Sequence, residues 1–134
     1  MSAYRLGQAA RVLGVSVDTV RRHVDSGRLG SSRTPGGQRL VDGPSLAKLA
    51  EALEEDEAGE RISSARNHML GIVTRVVRDK VAAQVEMRCG PYRMVSLLTR
   101  EAVDSLELEP GVLVNSVVKA TNVIVERASE PLSP

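Results

Sequence analysis

Residues 63–77 read SSARNHMLGIVTRVV. Two hydroxyls, a guanidinium and an amide crowd the entrance to an apolar, β-branched run, and from residue 69 onward the chain keeps the period of strands. In VAAQVEMR (81–88), Val81, Ala83, Val85 and Met87 alternate with Ala82, Gln84, Glu86 and Arg88, as a strand buried on one side requires. LGIVTRVV (70–77), YRMVSLL (92–98), VLVNSVVK (112–119) and TNVIVE (121–126) are four further β-rich runs. RDK and CGP separate the first three runs. TREAVDSLELEPG (99–111) then offers one short helix carrying Ala102, Val103 and Leu106, closed by a Pro-Gly turn. Five strands with one helix between the third and fourth predict a small five-stranded OB-like β-barrel.

Donors placed just before the first strand of such a barrel sit at its rim. If Thr99, after the third strand, and Lys119, at the end of the fourth, reach the same rim, hydroxyls, main-chain N–H groups, a guanidinium and an ammonium converge with no acceptor of their own. Such a set suits a multivalent oxyanion. The alternative is a cap that ties down the first strand and leaves its charges in water. His68 beside this segment reads as a surface side chain rather than a base.

The N-terminal half has a different character. LGQAARVLGVSVDTVRRHVDSG (6–27) reads as two short helices joined at Gly14. Leu6, Ala9, Ala10 and Leu13 give the first its inward face, and Val17, Val20 and Val24 give the second its own. Gly14 supplies the positive φ that ends the first helix. Ser16 is a good N-cap for the second, with Asp18 in its first turn. On that second helix Arg22 points away from the valine face, with Thr19 and Ser26 beside it and Arg21 on the flank. A guanidinium among small hydroxyls suits the major groove of DNA, where arginine can bond guanine bidentately. GRLGSSRTPGGQRLVDGP (27–44) carries a strong turn at TPGG flanked by Arg33 and Arg39, the pattern of a cationic hairpin. PSLAKLAEALEE (44–55) follows as a helix with Pro44 near its start and Leu46, Leu49 and Leu53 on one side. The competing reading, a small helical domain with solvated arginines, accounts for each feature singly but not for their joint occurrence.

Charge divides the chain the same way. Through residue 50 there are eight basic and three acidic side chains, then EALEEDEAGE (51–60) holds six acidic and no basic ones. The expected organisation is a DNA-binding domain over 1–55, an acidic linker over 56–62, an oxyanion-binding domain over 63–127 and a tail over 128–134. In 134 residues there are two tyrosines and no other aromatic side chain, so the cores must be built from Val, Leu, Ile, Ala and Met. Two small cores of this kind bury a low fraction of their surface, which makes association between copies an expectation. The single cysteine, Cys89, excludes an internal disulfide and reads as a packing residue of a reducing compartment. No signal peptide and no membrane-length apolar run is visible, so a cytoplasmic protein without a membrane partner is expected. No Ser-His-Asp, Cys-His or paired-carboxylate arrangement appears. The expectation is therefore not an enzyme, with no catalytic cofactor and no metal-cation site.

Two resemblances sharpen these readings. YRLGQAARVLGVSVDTVRRHVDSGRL with RTPGGQRLV resembles the winged helix-turn-helix of the MerR and excisionase superfamily. By that resemblance Ser16, Thr19, Arg21 and Arg22 contact double-stranded DNA from the recognition helix, and Arg33, Gln38 and Arg39 from the wing. His23 and Val41 stand where many relatives carry aromatic residues, and the chain lacks the sensor cysteines of the metal-responsive branch. SARNHMLGIV with LLTREAVDSLELEPGVLVNSVVKATNVIV resembles the Mop domain of the molbindins, of TOBE type. That resemblance implies molybdate or tungstate held between subunits of a homo-oligomer, from a dimer up to a hexamer-like ring. Ser64 would contribute hydroxyl and amide, Ala65 and Ala120 their N–H groups, Arg66 and Lys119 charge, and Thr99 its hydroxyl, while Asn67 braces the loop. Ala102 stands where some members carry serine, which removes one donor. The fold class expected is α+β, and the function a molybdate- or tungstate-responsive DNA-binding transcriptional regulator. The alternatives are a molbindin-like storage protein and an excisionase-like architectural DNA binder whose tail only oligomerises.

Overall fold

Gly14, at φ 68°, ends one helix and opens the next, and the N-terminal half is built around that turn. The computed structural model describes residues 2–53 and 63–128. The acidic linker expected over 56–62 and nearly all of the tail lie outside the described residues. The described chain divides into two compact units, which are treated separately.

The first unit runs β1 (Ala3–Arg5), α1 (Leu6–Leu13), α2 (Val17–Asp25), β2 (Ser31–Arg33), β3 (Arg39–Asp42) and α3 (Gly43–Ala52). Ser16 caps α2, its Oγ accepting from the Thr19 N–H at 3.2 Å, and Asp18 lies in the first turn where the helix dipole favours it. Asp42 caps α3 in the same way, accepting from the Ser45 N–H at 2.9 Å. The three strands form an antiparallel sheet in the order β1-β3-β2. The turn of the β2–β3 hairpin is closed by Thr34: its N–H donates to the Gln38 carbonyl, and its own carbonyl accepts from Gly37 N–H, both at 2.8 Å. Ala9, Ala10, Val20, Leu29, Val41, Leu46 and Leu49 are buried together, with Leu6, Leu13, Val17 and Val24 packed at their edge. Leu53, expected on the same side as Leu46 and Leu49, instead falls at the C-cap of α3 and is exposed.

The second unit is a four-stranded antiparallel sheet with one helix: β4 (Asn67–Arg78), β5 (Ala82–Cys89), β6 (Tyr92–Thr99), α4 (Arg100–Ser105) and β7 (Leu113–Val118), in the sheet order β6-β5-β4-β7. β4 is long enough to serve two partners. Its first half, Asn67–Ile72, pairs with β7, and its second half, Ile72–Arg78, pairs with β5 across an irregularity at Val73/Arg75. Gly71 sits at the handover. A Cβ there would lie 2.5 Å from Cys89 Sγ and 2.6 Å from the Arg88 carbonyl oxygen, so only glycine admits this close approach. Ala83, Val85, Met87 and Cys89 point inward from β5 and pack with Val73, Val103 and Leu108. Val81, expected to begin that inward row, belongs to the preceding turn and is exposed. Leu106 is exposed as well. Glu107, in the left-handed region at φ 53°, turns the chain so that Leu108 takes the core position instead.

The fifth strand of the expected barrel is absent from the described sheet, and the sheet is not closed. Residues 121–126 are not paired. Ala120–Asn122 form a 3₁₀ turn, after which Val123 keeps extended backbone (φ −85°, ψ 121°) without joining a ladder. β-Branched residues supply the propensity for a strand, but a strand exists only where a neighbouring edge satisfies its N–H and C=O groups. Here the turn carries the segment off β7 before it meets one.

Candidate functional sites

In the first unit the residues expected to read DNA lie on α2 and the hairpin, and their partners divide them. Ser16 and Thr19 bond each other through their hydroxyls at 2.9 Å as part of the helix cap. Arg21 Nη1 is 2.9 Å from Asp18 Oδ1, one turn away, and Arg39 Nη1 is 3.2 Å from Asp25 Oδ1. These two ion pairs fix the direction of both guanidiniums along the same side of α2. Being largely in water, they add little stability. Arg33 donates to the Gly37 carbonyl at 2.9 Å and so braces the hairpin turn beside Gln38. Arg22 is exposed and has no partner among the described residues.

Sequence reasoning missed part of this surface. Arg5, Arg11, Arg21, Gln38 and Arg39 line a single groove of about 580 Å³, floored by Leu6, Gly7 and Val17. Four guanidiniums from β1, α1, α2 and β3 therefore border one depression. Arg11 is exposed and has no partner among the described residues. The only signal for it in the sequence was its place off the inward face of α1.

In the second unit, β4 and β7 bring two separate stretches together. Asn67 stands opposite Val118 in the ladder, and its Nδ2 donates to the Val118 carbonyl at 3.0 Å. This one bond fixes the end of the Ser64–Arg66 segment beside Lys119 and Ala120. Within the segment, Ala65 N–H donates to Ser63 Oγ at 3.1 Å, Arg66 Nη1 reaches the Ser63 carbonyl at 3.4 Å, and His68 Nε2 lies 3.2 Å from the Ala65 carbonyl. No carboxylate pairs with Arg66 or Lys119 among the described residues. Both side chains are exposed. Chemically this is a small donor-rich edge with two cations and no counter-charge.

Thr99 is not part of that edge within one chain. It ends β6 opposite Ala82, and Ala83 in turn stands opposite Arg78, the last residue of β4. Asn67 is the first residue of β4, so roughly 35 Å of strand separates the two ends at ~3.3 Å per residue. Thr99 instead caps α4, its Oγ1 accepting from the Ala102 N–H at 3.1 Å, and it lines a depression with Lys80, Arg100 and Asp104. The shared rim expected for Thr99 and Lys119 is not formed by a single copy, because the alternation that identifies strands does not reveal which end of a long strand each neighbour reaches.

The turn beside Thr99 is pinned by Asp79. Its Oδ1 accepts from Ala82 N–H at 2.7 Å and from Val81 N–H at 2.8 Å. These two backbone bonds, with the nearby Arg100 charge, hold its carboxyl below the usual carboxylate range.

Among the described residues no helix is long and apolar enough to cross a membrane, and no group of three His, Cys, Asp or Glu is placed to hold a metal ion.

Residues 3–53 match the helix-turn-helix domain family, and residues 63–125 match the TOBE domain family. No curated protein matches the chain. Three solved structures are similar to its C-terminal half. A molybdate-binding protein from Sporomusa ovata is 31% identical, with a TM-score of 0.48, covering 50% of this chain and 100% of its own. MopII from Clostridium pasteurianum is 29% identical, with a TM-score of 0.46, covering 48% of this chain and 98% of its own. The cytoplasmic molybdate-binding protein ModG, in a form with molybdate bound, is 38% identical, with a TM-score of 0.46, covering 52% of this chain and 49% of its own.

Proposed function

From a chain that belongs to the helix-turn-helix family over residues 3–53 and to the TOBE family over residues 63–125, we infer a DNA-binding regulator whose response is set by molybdate or tungstate. The observation that carries this reading is the Asn67–Val118 bond, which gathers Ser64, Ala65, Arg66, Lys119 and Ala120 into one edge of donors with no acid to neutralise it among the described residues. A tetrahedral dianion supplies the acceptors that this edge lacks. Arg66 and Lys119 balance its charge, while Ser64, the Ala120 N–H and the Ala65 N–H, once it leaves Ser63 Oγ, direct hydrogen bonds at its oxygens. Thr99 completes the set from a second copy, since its own chain holds it at the far end of β4.

Selection among dianions then falls to size. Molybdate, tungstate and sulfate carry the same charge, so the dimensions of the donor set decide. A smaller ion leaves desolvated donors unmade, which costs more than each made bond contributes. Molybdate and tungstate are nearly equal in size and are accepted alike. Ligand at a seam between copies favours the assembly that completes the set. The spacing at which paired helix-turn-helix units meet successive major grooves follows from that assembly. Arg22 and Gln38 read bases or phosphates in this scheme, with Arg21, Arg33 and Arg39 positioned by their own bonds.

The reading is tested by thermal melting and by gel shift at one stated salt concentration. Saturating molybdate is expected to raise the melting temperature, with the Arg66→Ala/Lys119→Ala double variant losing that rise, and to change the affinity for an operator. A melting curve indifferent to molybdate ends the sensor reading. Stabilisation without selective DNA binding points to storage, and DNA binding indifferent to molybdate points to an architectural role.

A further inference from the structure

The Ser64–Arg66 segment lies outside the ladder, since β4 begins at Asn67. Ser64 and Arg66 are exposed, so packing does not fix the backbone between them. The two side chains that follow in sequence do. Asn67 Nδ2 reaches across to the Val118 carbonyl at 3.0 Å and sets where the segment meets β7. His68 turns back instead, and its Nε2 lies 3.2 Å from the Ala65 carbonyl oxygen. A carbonyl can only accept, so Nε2 carries the proton and the ring is the donor. His68 and Ala65 are both half-buried, which limits the competition of water for this bond. His68 is therefore not the plain surface side chain expected from the sequence.

We propose that His68 is a positioning residue for the oxyanion edge: it fixes the plane of the peptide between Ala65 and Arg66 and thereby aims the Arg66 main-chain N–H. This role rests on the regulatory reading and adds one donor to its set. A trans peptide is flat, with its C=O and N–H pointing opposite ways. Once the ring holds the Ala65 carbonyl, the Arg66 N–H must face the other side of the segment, where it has no acceptor among the described residues. The guanidinium of the same residue makes only a long bond, 3.4 Å, to the Ser63 carbonyl. A bound dianion can thus take one main-chain and one side-chain donor from Arg66. The ring itself does not touch the ligand and acts through the peptide alone. Without its bond, the torsions on either side of that peptide are free to turn, and binding must then freeze them. Ordering one residue's backbone in this way weakens binding about tenfold. Glutamine carries an N–H at similar reach and should replace the ring, whereas leucine, of similar bulk, has no donor and should not.

The test is calorimetric titration of the full chain with sodium molybdate. His68→Gln is expected to bind with the affinity of the wild type, and His68→Leu about tenfold more weakly. Without molybdate all three are expected to melt at the same temperature, because the bond lies outside the sheet. In nitrogen-15 spectra of the ligand-free chain, the Arg66 amide should keep its position in His68→Gln and move or broaden in His68→Leu. A wild type that binds no molybdate removes the regulatory reading and the role of His68 together. A wild type that binds, with His68→Leu binding equally well or His68→Gln binding as weakly as His68→Leu, overturns the role of His68 alone. Should His68→Leu fail to fold, hydrogen exchange on the wild type decides. An Arg66 amide whose exchange is slowed by molybdate supports the assignment, and one that exchanges as fast with molybdate as without it overturns it.

Discussion

The two halves of this chain are of similar length and equally poor in aromatic residues, but they treat their aliphatic side chains in opposite ways. The N-terminal unit closes on itself. Val20 and Val41 have no exposed surface, Leu29 almost none, and three elements of helix cover one small sheet. Outside it stand Val12, Leu53 and a set of cations, of which Arg21, Arg39 and Arg33 are oriented by bonds to Asp18, Asp25 and Gly37. The C-terminal unit buries Val73, Val85 and Val103 just as well but leaves both sheet edges and the Val123–Val125 segment in water. A finished surface of oriented cations is suited to meeting a rigid polyanion whose shape does not change. An unfinished sheet is suited to meeting copies of itself, where small changes in ligand can shift a balance of assemblies. Under the proposed function, the first half recognises DNA and the second responds to ligand.

The largest effect that can break this comparison comes from Leu29→Ala. Leu29 lies in the loop after α2 and is 2% exposed, so its removal leaves a cavity beneath α2. The expected loss is about 3 kcal/mol of stability in the first unit, independent of protein concentration. Calorimetry should show the transition of that unit falling while the transition of the second stays in place. A single transition that falls as a whole would show that the two halves fold as one and would dissolve the division of labour.

Much of the first unit was legible because its signals are local. Ser16 three residues before Thr19, Gly14 at a helix end and valines at helical spacing each act within a turn or two of the backbone, and all three appear as read. β1 was not legible. Three residues, Ala-Tyr-Arg, become a strand only because β3 offers an edge some forty positions later. The same reason explains the fifth strand. Alternation in TNVIVE marks strand propensity only; pairing belongs to two edges, and the segment joins no ladder among the described residues. For the candidate oxyanion edge, the SARN segment and the Lys-Ala pair could be recognised as donors, and the β4–β7 register does bring them together. Thr99 could not be placed, because its distance from them depends on the full length of β4 and on which half pairs with which neighbour. Arg11 was overlooked for a related reason: its importance lies in the groove that α1 makes with the hairpin, a tertiary feature with no periodic trace.

Arg11 sharpens the recognition side of the comparison by a smaller effect. If the groove it shares with Arg21, Gln38 and Arg39 follows the DNA backbone, Arg11 meets a phosphate and carries no sequence information. Arg11→Ala is then expected to weaken operator and random DNA by the same factor, and to reduce the slope of log affinity against log salt by about 0.9, one counterion released per contact. Arg22→Ala, by contrast, should lower the ratio of operator to random affinity. Fluorescence anisotropy over a salt series separates the two. Equal loss of specificity in both variants would mean that the groove reads bases and that recognition is spread beyond α2.

The smallest effect concerns a turn that the second unit completes by its own local bonds. Asp79 closes the β4–β5 turn by accepting two backbone N–H bonds, first from Ala82 and then from Val81, with Arg100 adding favourable charge, and its carboxyl is held below its usual value. Because the folded pKa lies below the unfolded one, the unfolded chain binds the proton first, and stability from this group rises with pH across that window. The contribution is fully present above the ordinary carboxylate value of about 4, and it is lost as the pH falls through the depressed folded value. Urea unfolding of the wild type and of Asp79→Ala should therefore differ at neutral pH, with the wild type the more stable, and converge as the solution is taken well below pH ~4. The difference should also be the same at low and high protein concentration, since the bonds are made within one turn. A gap that instead grew with concentration would tie this turn to association between copies rather than to its own local bonds.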